Sequence, residues 1–540
     1  MSHSTLVEAF RRTVAERPTE VALRVAGGGP SYTWSAYAAE VARIAGALRA
    51  AGVGPGDTVA LLLTNRPEFH FYDTAAQHLG AIPFSCYNSS SPEQIEYLLA
   101  ASGAEVAVTE RRLAPAFAIS KPRHLVVVDD PDTVPVGTDL DLDTATVAPD
   151  DLLTLVYTSG TTGHPKGVEI THANMVAMLE ATAPLLGVRP GERVISFLPA
   201  AHIADRWGSH YMNVWCGTEL TTLDDHRQIL AALAEVRPTL FGGVPQVWQR
   251  LVAGLRRFPD PTMRAAIEQA VQIAVPLLRD GQPVPPELEQ RVFGPLRAKL
   301  GLDQVRIAIT AAAPTPPSIV EYMNSIGVPL IEGWGMSEVS GLGTLVPPGR
   351  MRTSTIGLPV PGLETRLLDD GELLVRGPMV SRGYREGAPT VDEDGWLHTG
   401  DVATQDEDGY LRLIDRKKEL LITNGGKNIA PAGVELALRT ACPLIAHAVI
   451  VGDNRDYLTA LIVIEPELAP DPLDPAVGQA VAAGVAAANA TLSRPEQIKA
   501  YEILPDQWLP GGDLVTPTMK VRRHAVLQRY SAQVEALYTR

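Results

Sequence analysis

The sequence predicts an α/β chain in two unequal parts: a large N-terminal domain of doubly wound sheets with a small β-subdomain, then a small α+β domain. Three observations carry this. Strand-like apolar runs alternate with helical patterns as far as Thr310. Between Gly357 and Leu413 the texture changes to short strands and glycine turns. A compact α+β pattern begins after Asp415, which puts the expected division at 1–415 and 416–540. At 540 residues and 57.8 kDa the chain is several times the ~150-residue domain prior, so a small binding module is excluded.

In chain order, Ser35–Ala51 reads as a helix, Val59–Leu63 as a strand, Phe69–Leu79 as a helix and Ala81–Cys86 as a strand. Further strands are expected at Val106–Thr109, Leu125–Val128, Leu152–Thr158, Val194–Leu198 and Val305–Thr310. Strands separated by helices imply parallel pairing. Met263–Leu302 has only a helical texture. In the last part, Ala446–Val451 and Leu458–Ile464 read as strands, and Pro475–Ser493 as an alanine-rich helix too weakly apolar to span a bilayer.

Charge and cysteines narrow the function class. Sixty-two acidic residues against 46 basic ones give a formal charge of −16, the wrong sign for a nucleic-acid coat or a basic membrane-surface binder. Acidic and basic residues balance from Arg416 onward, so the negative excess lies in the larger part. Cys86, Cys216 and Cys442 are odd in number and far apart, which fits neither a disulfide framework nor a zinc cluster and favours a reducing compartment. The N-terminal stretch has arginines and glutamates where a signal peptide is apolar, so a cytoplasmic location is expected. No transmembrane segment is expected, which leaves peripheral membrane contact open; nothing here sets the oligomeric state.

The strand Leu152–Thr158 runs into YTSGTTGHPKG, Tyr157–Gly167. Glycines at 160, 163 and 167 let backbone N–H groups close around an anion. Ser159, Thr161 and Thr162 add hydroxyls, and Lys166 adds a charge suited to a polyphosphate. The spacing is not that of a Walker-type loop. A flexible turn would explain one such loop, but not ten specified positions together.

This loop resembles the signature of the adenylate-forming superfamily, which includes acyl-CoA synthetases, luciferases and peptide-synthetase adenylation domains. Other motifs follow in the family's order. Ala311–Pro314 (AAAP) resembles the small-residue segment beside the adenine, with alanines for the usual glycines, so Ala312 and Ala313 are expected there. Glu332–Glu338 (EGWGMSE) resembles the next motif. The resemblance implies that Trp334 stacks on the adenine where tyrosine is more usual, that Ser337 touches the α-phosphate, and that Glu338 holds Mg²⁺ with Thr161. One carboxylate is enough, because magnesium takes few carboxylates plus phosphate oxygens. Thr158, Ser159, Gly160, Thr161, Thr162, Gly163 and Lys166 are then the ATP loop.

Asp394–Lys418 (DGWLHTGDVATQDEDGYLRLIDRKK) closely resembles the fatty acyl-CoA synthetase signature. It implies Asp401 accepting from both ribose hydroxyls, Arg416 donating to ribose or phosphate, and Lys418 as the hinge of a mobile small domain. Gly425–Pro431 (GGKNIAP) resembles the loop that meets the pantetheine arm of coenzyme A, which gives Gly425, Gly426 and Lys427 as its contacts. Leu514–Arg523 (LVTPTMKVRR) resembles the catalytic-lysine segment, with Lys520 reaching between the carboxylate and the α-phosphate; Lys166 and Glu338 complete the expected catalytic set.

On the substrate side, LPAAHIADR resembles the segment beside the acyl pocket, with His202 as gate or carboxylate neighbour; a histidine satisfied in the core is an equal reading. Ile203 stands where peptide-synthetase domains carry the aspartate for an α-ammonium, so an amino acid substrate is disfavoured. Trp207–Gly217 and the FGGVPQVW segment with Gly242 either line a tunnel or pack in the core, and Gly335 is expected near the same pocket. Together these imply ATP-dependent conversion of a medium- or long-chain fatty acid to acyl-AMP and then acyl-CoA, with Mg²⁺ as cofactor and ATP and coenzyme A as co-substrates. The alternatives are an acyl-AMP ligase that loads a carrier protein and a non-catalytic nucleotide sensor.

Overall fold

The computed structural model describes residues 4–158, 165–424, 427–509, 511–516 and 520–539. Three sheets build the large part. One has seven strands in the order Gly383–Tyr384, Lys166–Thr171, Leu152–Thr158, Ile82–Ser85, Thr58–Leu62, Val106–Thr109 and His124–Val127. A second carries Leu240–Gly243, Ile307–Thr310 and Leu330–Trp334, followed by the short strands Thr344–Leu345 and Leu358–Pro359. The third joins Ser31–Thr33, Val21–Val25, Glu219–Thr222 and Arg193–Ser196. The expected strands all form, most within one or two residues of their expected ends.

The pairing is parallel through most of each sheet, and one edge of each is antiparallel. Lys166–Thr171 folds back on Leu152–Thr158, and Gly383–Tyr384 pairs antiparallel with Lys166–Thr171. The phosphate-loop motif therefore joins two strands of a hairpin and not a strand to a crossover helix. Between Glu364 and Arg416 four antiparallel strands form the expected β-subdomain: Glu364–Leu367, Glu372–Arg376, Leu397–Gln405 and Leu411–Arg416.

The helix Pro67–His78 is buried at every position but Glu68, so no amphipathic stripe was available to mark its facing side. It carries Asp73 into the interior. There Asp73 meets Arg206, whose Nη1 donates to Oδ2 at 2.6 Å, and His210, whose Nε2 lies 3.0 Å from Oδ1. All three side chains have no exposure. Arg206 also donates to the Tyr211 hydroxyl at 2.8 Å and to Ser85 Oγ at 3.0 Å. Burial alone would raise the Asp73 carboxyl, but Arg206 and His210 outweigh it and hold it at about 2. This pair anchors the helical segment that starts at Ile203 and widens to a π-helical turn over Arg206–Tyr211.

Met263–Leu302 proves to be the helix Pro261–Arg279 and the segments Glu289–Phe293 and Gly294–Leu300, with Ile267, Ala270, Phe293 and Leu296 in a core of their own around Trp248. The small part stacks Ile445–Val451, Leu458–Ile464 and Ile498–Leu504 against the helices Pro431–Ala441 and Pro475–Thr491. Glycine at 484 is required inside that alanine-rich helix, since a Cβ there would lie 2.5 Å from Cys442 Cβ. No helix among the described residues is long and apolar enough to cross a membrane. Arg257 joins the two parts by donating to the carbonyls of Glu467 and Leu468 at 3.0 and 2.9 Å.

Candidate active site

The site forms where the C-terminal ends of the strands meet the β-subdomain. Asp401 lies on Leu397–Gln405 in register with Arg416 on the next strand, and this antiparallel pairing sets the Arg416 Nε at 3.1 Å from Asp401 Oδ1. The other oxygen, Oδ2, accepts from Trp334 Nε1 at 2.8 Å. Asp401 is 3% exposed, so both donors act in a poorly solvated place. Each carboxylate oxygen keeps a second lone pair, which leaves room for ribose hydroxyls to share it.

Trp334 ends the strand Leu330–Trp334, and its ring lies flat enough on Gly343 that a Cβ there would come within 2.5 Å. The next residue, Gly335, packs against the Gly341 carbonyl; a Cβ would sit 1.8 Å from that oxygen. Gly335 is thus a close-approach glycine that folds the turn bearing Ser337 and Glu338, both buried. The turn is tied down from outside: Ser340 Oγ donates to the Met379 carbonyl at 2.7 Å, and Ser381 N donates to the Glu338 carbonyl at 2.8 Å.

Glu338 Oε1 accepts the Tyr384 hydroxyl at 2.9 Å, and the Lys166 ammonium lies 5.1 Å from the centre of the Tyr384 ring. Lys166 follows the loop and pairs with Thr158 across the hairpin. Ala312 has φ +74°, left-handed backbone that costs an alanine about 1–2 kcal/mol and a glycine little. The loop that holds it is stapled by the Thr310 and Thr315 hydroxyls at 2.9 Å. Strain kept by its surroundings at the mouth of a site is a mark of functional backbone.

Lys520 comes from the small part, on a turn closed by mutual bonds between Thr516 and Lys520 at 2.8 and 2.9 Å. Its side chain is exposed on this turn, close enough to Arg416, Asp401, Glu338 and Glu419 for their charges to act on its ammonium. The same cation acts on His202, whose imidazole is pushed down to about 3 by burial first and by Lys520 second. His202 Nδ1 accepts from Ala204 N at 3.1 Å, so the neutral ring carries its proton on Nε2. Lys520, His202, Glu338, Asp401 and Arg416 thus share one cleft although they span 319 positions of sequence, from 202 to 520 inclusive.

The remaining expected residues fall in three groups. Gly242 is exposed on Leu240–Gly243 with open space where a Cβ would stand. Trp207 is buried, its Nε1 donating to Thr182 Oγ1 at 3.1 Å and its ring under Gly341, so it supports the Glu338 turn from behind. Lys418 lies in the single turn Lys417–Glu419 at the end of the β-subdomain, where its neighbour Lys417 pairs with Asp370 and Glu372 at 2.6 and 2.8 Å. Lys427 is exposed next to the strand Asn428–Ile429. Ala313 follows Ala312 in the strained loop. Ser159, Gly160, Thr161, Thr162, Gly163, Gly425 and Gly426 lie outside the described residues.

Sequence reasoning missed Tyr384, Asp73 and Thr182, because each acts through a partner distant in sequence. It also missed Glu332, a carboxyl 8% exposed and raised to about 8 by burial. The one available signal was an acidic residue inside an otherwise apolar strand.

A large α/β part with a charged cleft, met by a small part that inserts a lysine, is the architecture of the adenylate-forming enzymes. The o-succinylbenzoate CoA synthetase of Bacillus subtilis, solved with its acyl-adenylate, superposes with a TM-score of 0.76 over 96% of this chain and 97% of that one, at 22% identity. An anthranilate CoA ligase gives 0.77 over 98% of each chain at 20% identity. The chain belongs to the AMP-binding enzyme family, whose model matches residues 10–385, with the AMP-binding enzyme C-terminal domain matching 418–540. It is 45% identical over 424 residues to a Mycobacterium tuberculosis protein that carries the name fatty-acid–CoA ligase fadD11, covering 73% of this chain and 74% of that one. It is 33% identical over 544 residues to the long-chain-fatty-acid–CoA ligase FadD15 of Mycobacterium bovis, covering 91% and 89%.

Proposed function

We propose that this enzyme activates a medium- or long-chain fatty acid with ATP, forming acyl-AMP and pyrophosphate, and then transfers the acyl group to the thiol of coenzyme A with release of AMP. The observation that carries the reading is the convergence of Lys520, from the small part, with Asp401, Glu338 and His202, close enough for their charges to act on one another. The names of the relatives support the same substrates.

In this reading Asp401 binds the ribose and is held in place by Arg416 and Trp334, and Trp334 also orients the adenine. Ser337 and Lys166, with the loop from Thr158, bind the phosphates. Ala312 and Ala313 present backbone to the adenine. Glu338 holds Mg²⁺ together with Thr161. The fit is chemical: a buried carboxylate with one oxygen already bonded suits a hard cation that takes its other ligands from phosphate and water. Among the described residues no group of three or more His, Cys, Asp or Glu forms a cage of its own. Bound Mg²⁺ supplies charge neutralisation on the departing pyrophosphate.

Lys520 neutralises charge between the attacking carboxylate and the α-phosphate. The neutral His202 imidazole beside it, with its proton on Nε2, borders the acyl site together with Gly242, and Trp207 and Gly335 shape its floor. Catalysis is then positioning and charge neutralisation, with no side-chain nucleophile. Asp205 accepts from Ser196 Oγ at 3.0 Å, which commits it to the interior and argues against an α-ammonium on the substrate. The division of labour follows 1–415 for adenylation and 416–540 for the lysine and the coenzyme A side, with Lys418 as the pivot and Gly425, Gly426 and Lys427 meeting the pantetheine arm. A cytoplasmic setting belongs to this reading, supported by three free cysteines.

The test is ATP–pyrophosphate exchange with a panel of acids, followed by product mass spectrometry with coenzyme A. Each methylene buried contributes ~0.8 kcal/mol, so kcat/KM should climb about fourfold per added CH₂ until the acyl site fills. A preference for acetate, an aromatic acid or an amino acid over octanoate to palmitate refutes the substrate class; absence of acyl-CoA refutes the acceptor.

A further inference from the structure

We propose that Tyr384 is the positioning residue that sets the metal-binding glutamate and the phosphate-binding lysine relative to each other. The inference rests on the roles given above to Glu338 and Lys166. Three segments far apart in sequence meet at this one side chain. Lys166 stands on the hairpin strand after the phosphate loop, Glu338 on a single turn after Leu330–Trp334, and Tyr384 on a short strap that pairs with Lys166–Thr171 through Gly383↔Glu169 and Tyr384↔Val168.

The strap is fastened at both ends. Arg385 N donates to the Gly167 carbonyl at 2.7 Å, Gly167 N donates to Glu386 Oε1 at 3.3 Å, and Arg382 and Arg385 both pair with Glu169. On the other side Ser381 N holds the Glu338 carbonyl and Thr390 Oγ1 donates to the Ser381 carbonyl. The tyrosine is therefore delivered by backbone that has little freedom to move.

Its two ends do different work. The hydroxyl donates to Glu338 Oε1 at 2.9 Å, which fixes the rotation of the carboxylate and leaves Oε2 as the oxygen to face a cation. The ring receives the Lys166 ammonium at 5.1 Å, a cation–π contact that holds the lysine at the ring, with no ion pair to it among the described residues. Glu169 on the hairpin strand pairs with Arg382 and Arg385, and Glu386 on the strap accepts from Gly167 N. Lys166 thus keeps its charge available for phosphate.

The two ends are separable by substitution in the full-length enzyme. Tyr384→Phe keeps the ring and removes the hydroxyl; Tyr384→Leu removes both. Mn²⁺ binding to the enzyme–ATP complex, read by electron paramagnetic resonance with no acid present, should weaken about tenfold in Tyr384→Phe. The KM for pyrophosphate in the exchange reaction should rise about tenfold in Tyr384→Leu relative to Tyr384→Phe. Glu338→Gln separates the two levels of the argument. If Glu338→Gln weakens Mn²⁺ binding while Tyr384→Phe leaves it unchanged, the positioning role is wrong and the metal assignment stands. If Glu338→Gln binds Mn²⁺ like the wild type, the metal assignment fails and this inference fails with it. Equal pyrophosphate KM in the Phe and Leu variants overturns the role of the ring. Should Tyr384→Leu fold poorly, the phenylalanine variant alone decides the hydroxyl's role, and Tyr384→Trp replaces leucine as a displaced aromatic face with the same expected rise.

Discussion

At the residue scale, Trp334 shows how one substitution within a motif changes what the motif can do. Resemblance to the family assigns position 334 an aromatic face for the adenine, and a phenylalanine would serve that purpose as well. The indole N–H adds something a phenyl ring lacks, a donor to Asp401 Oδ2 at 2.8 Å. Removing a donor from a buried carboxylate costs about 1.5–3 kcal/mol, part of which ribose hydroxyls and water recover. Trp334→Phe is therefore expected to raise the KM for ATP about tenfold with a smaller effect on kcat, measured by pyrophosphate exchange at saturating fatty acid. An unchanged KM would show that only the ring face matters. Ala312 makes the complementary point: an alanine at φ +74° keeps a backbone shape that glycine adopts freely, so the shape itself, and not the residue type, is what the site retains.

At the scale of elements, the helix Pro67–His78 and the segment from Ile203 depend on each other through a fully buried ion pair. Such a pair contributes little over an apolar replacement, but breaking it leaves a charge without a partner. Asp73→Asn should destabilise the large domain by about 3–5 kcal/mol, read as a fall in the urea midpoint at pH 7. The pH dependence has a definite sign. The Asp73 carboxyl lies at about 2 in the folded protein, below the ordinary aspartate value near 3.8, so its contribution is complete above that ordinary value and is lost as pH falls toward 2. The gap between wild type and Asp73→Asn should accordingly narrow below pH ~4. A gap independent of pH over that window would mean that packing, not charge, accounts for the loss.

At the scale of the whole molecule, the two parts of the chain bring Lys520 near Asp401 and Glu338, the arrangement that the proposed first half-reaction would use. The same face must later admit the pantetheine thiol, so the small part has to rotate, and Lys418 is the proposed pivot. Beyond the pivot the two parts are joined by Arg257 on the carbonyls of Glu467 and Leu468 and by the exposed ion pair of Arg250 with Glu467 at 3.8 Å. Surface ion pairs of this kind are individually weak, which suits an interface that must open in every turnover. Lys520→Ala should abolish adenylation but still convert supplied acyl-adenylate to thioester. Lys418→Pro, which fixes φ near −65°, should adenylate and then stall. Loss of the same half-reaction in both variants would rule out domain alternation here.

The sequence by itself determined the class of fold and the order of its motifs, and it named most of the charged groups that the proposed site uses. Those properties are carried by local patterns: strand and helix periodicity, glycine turns, and runs such as DGWLHTGDVATQDEDGYLRLIDRKK in which Asp401 and Arg416 fall on neighbouring strands of one hairpin-linked sheet. Tertiary structure alone decided what those groups touch. Only it sets the antiparallel edge that makes the phosphate loop a hairpin, the Trp334 donor on Asp401, the Tyr384 bridge between Glu338 and Lys166, and the interior pairing of Asp73 with Arg206. Each of these joins residues from about 45 to more than 200 positions apart, except for the 7-residue hairpin connection, or depends on which edge of a sheet a strand joins. Such contacts leave no trace in local periodicity, because the chain spacing that positions them is set by the packing of whole elements.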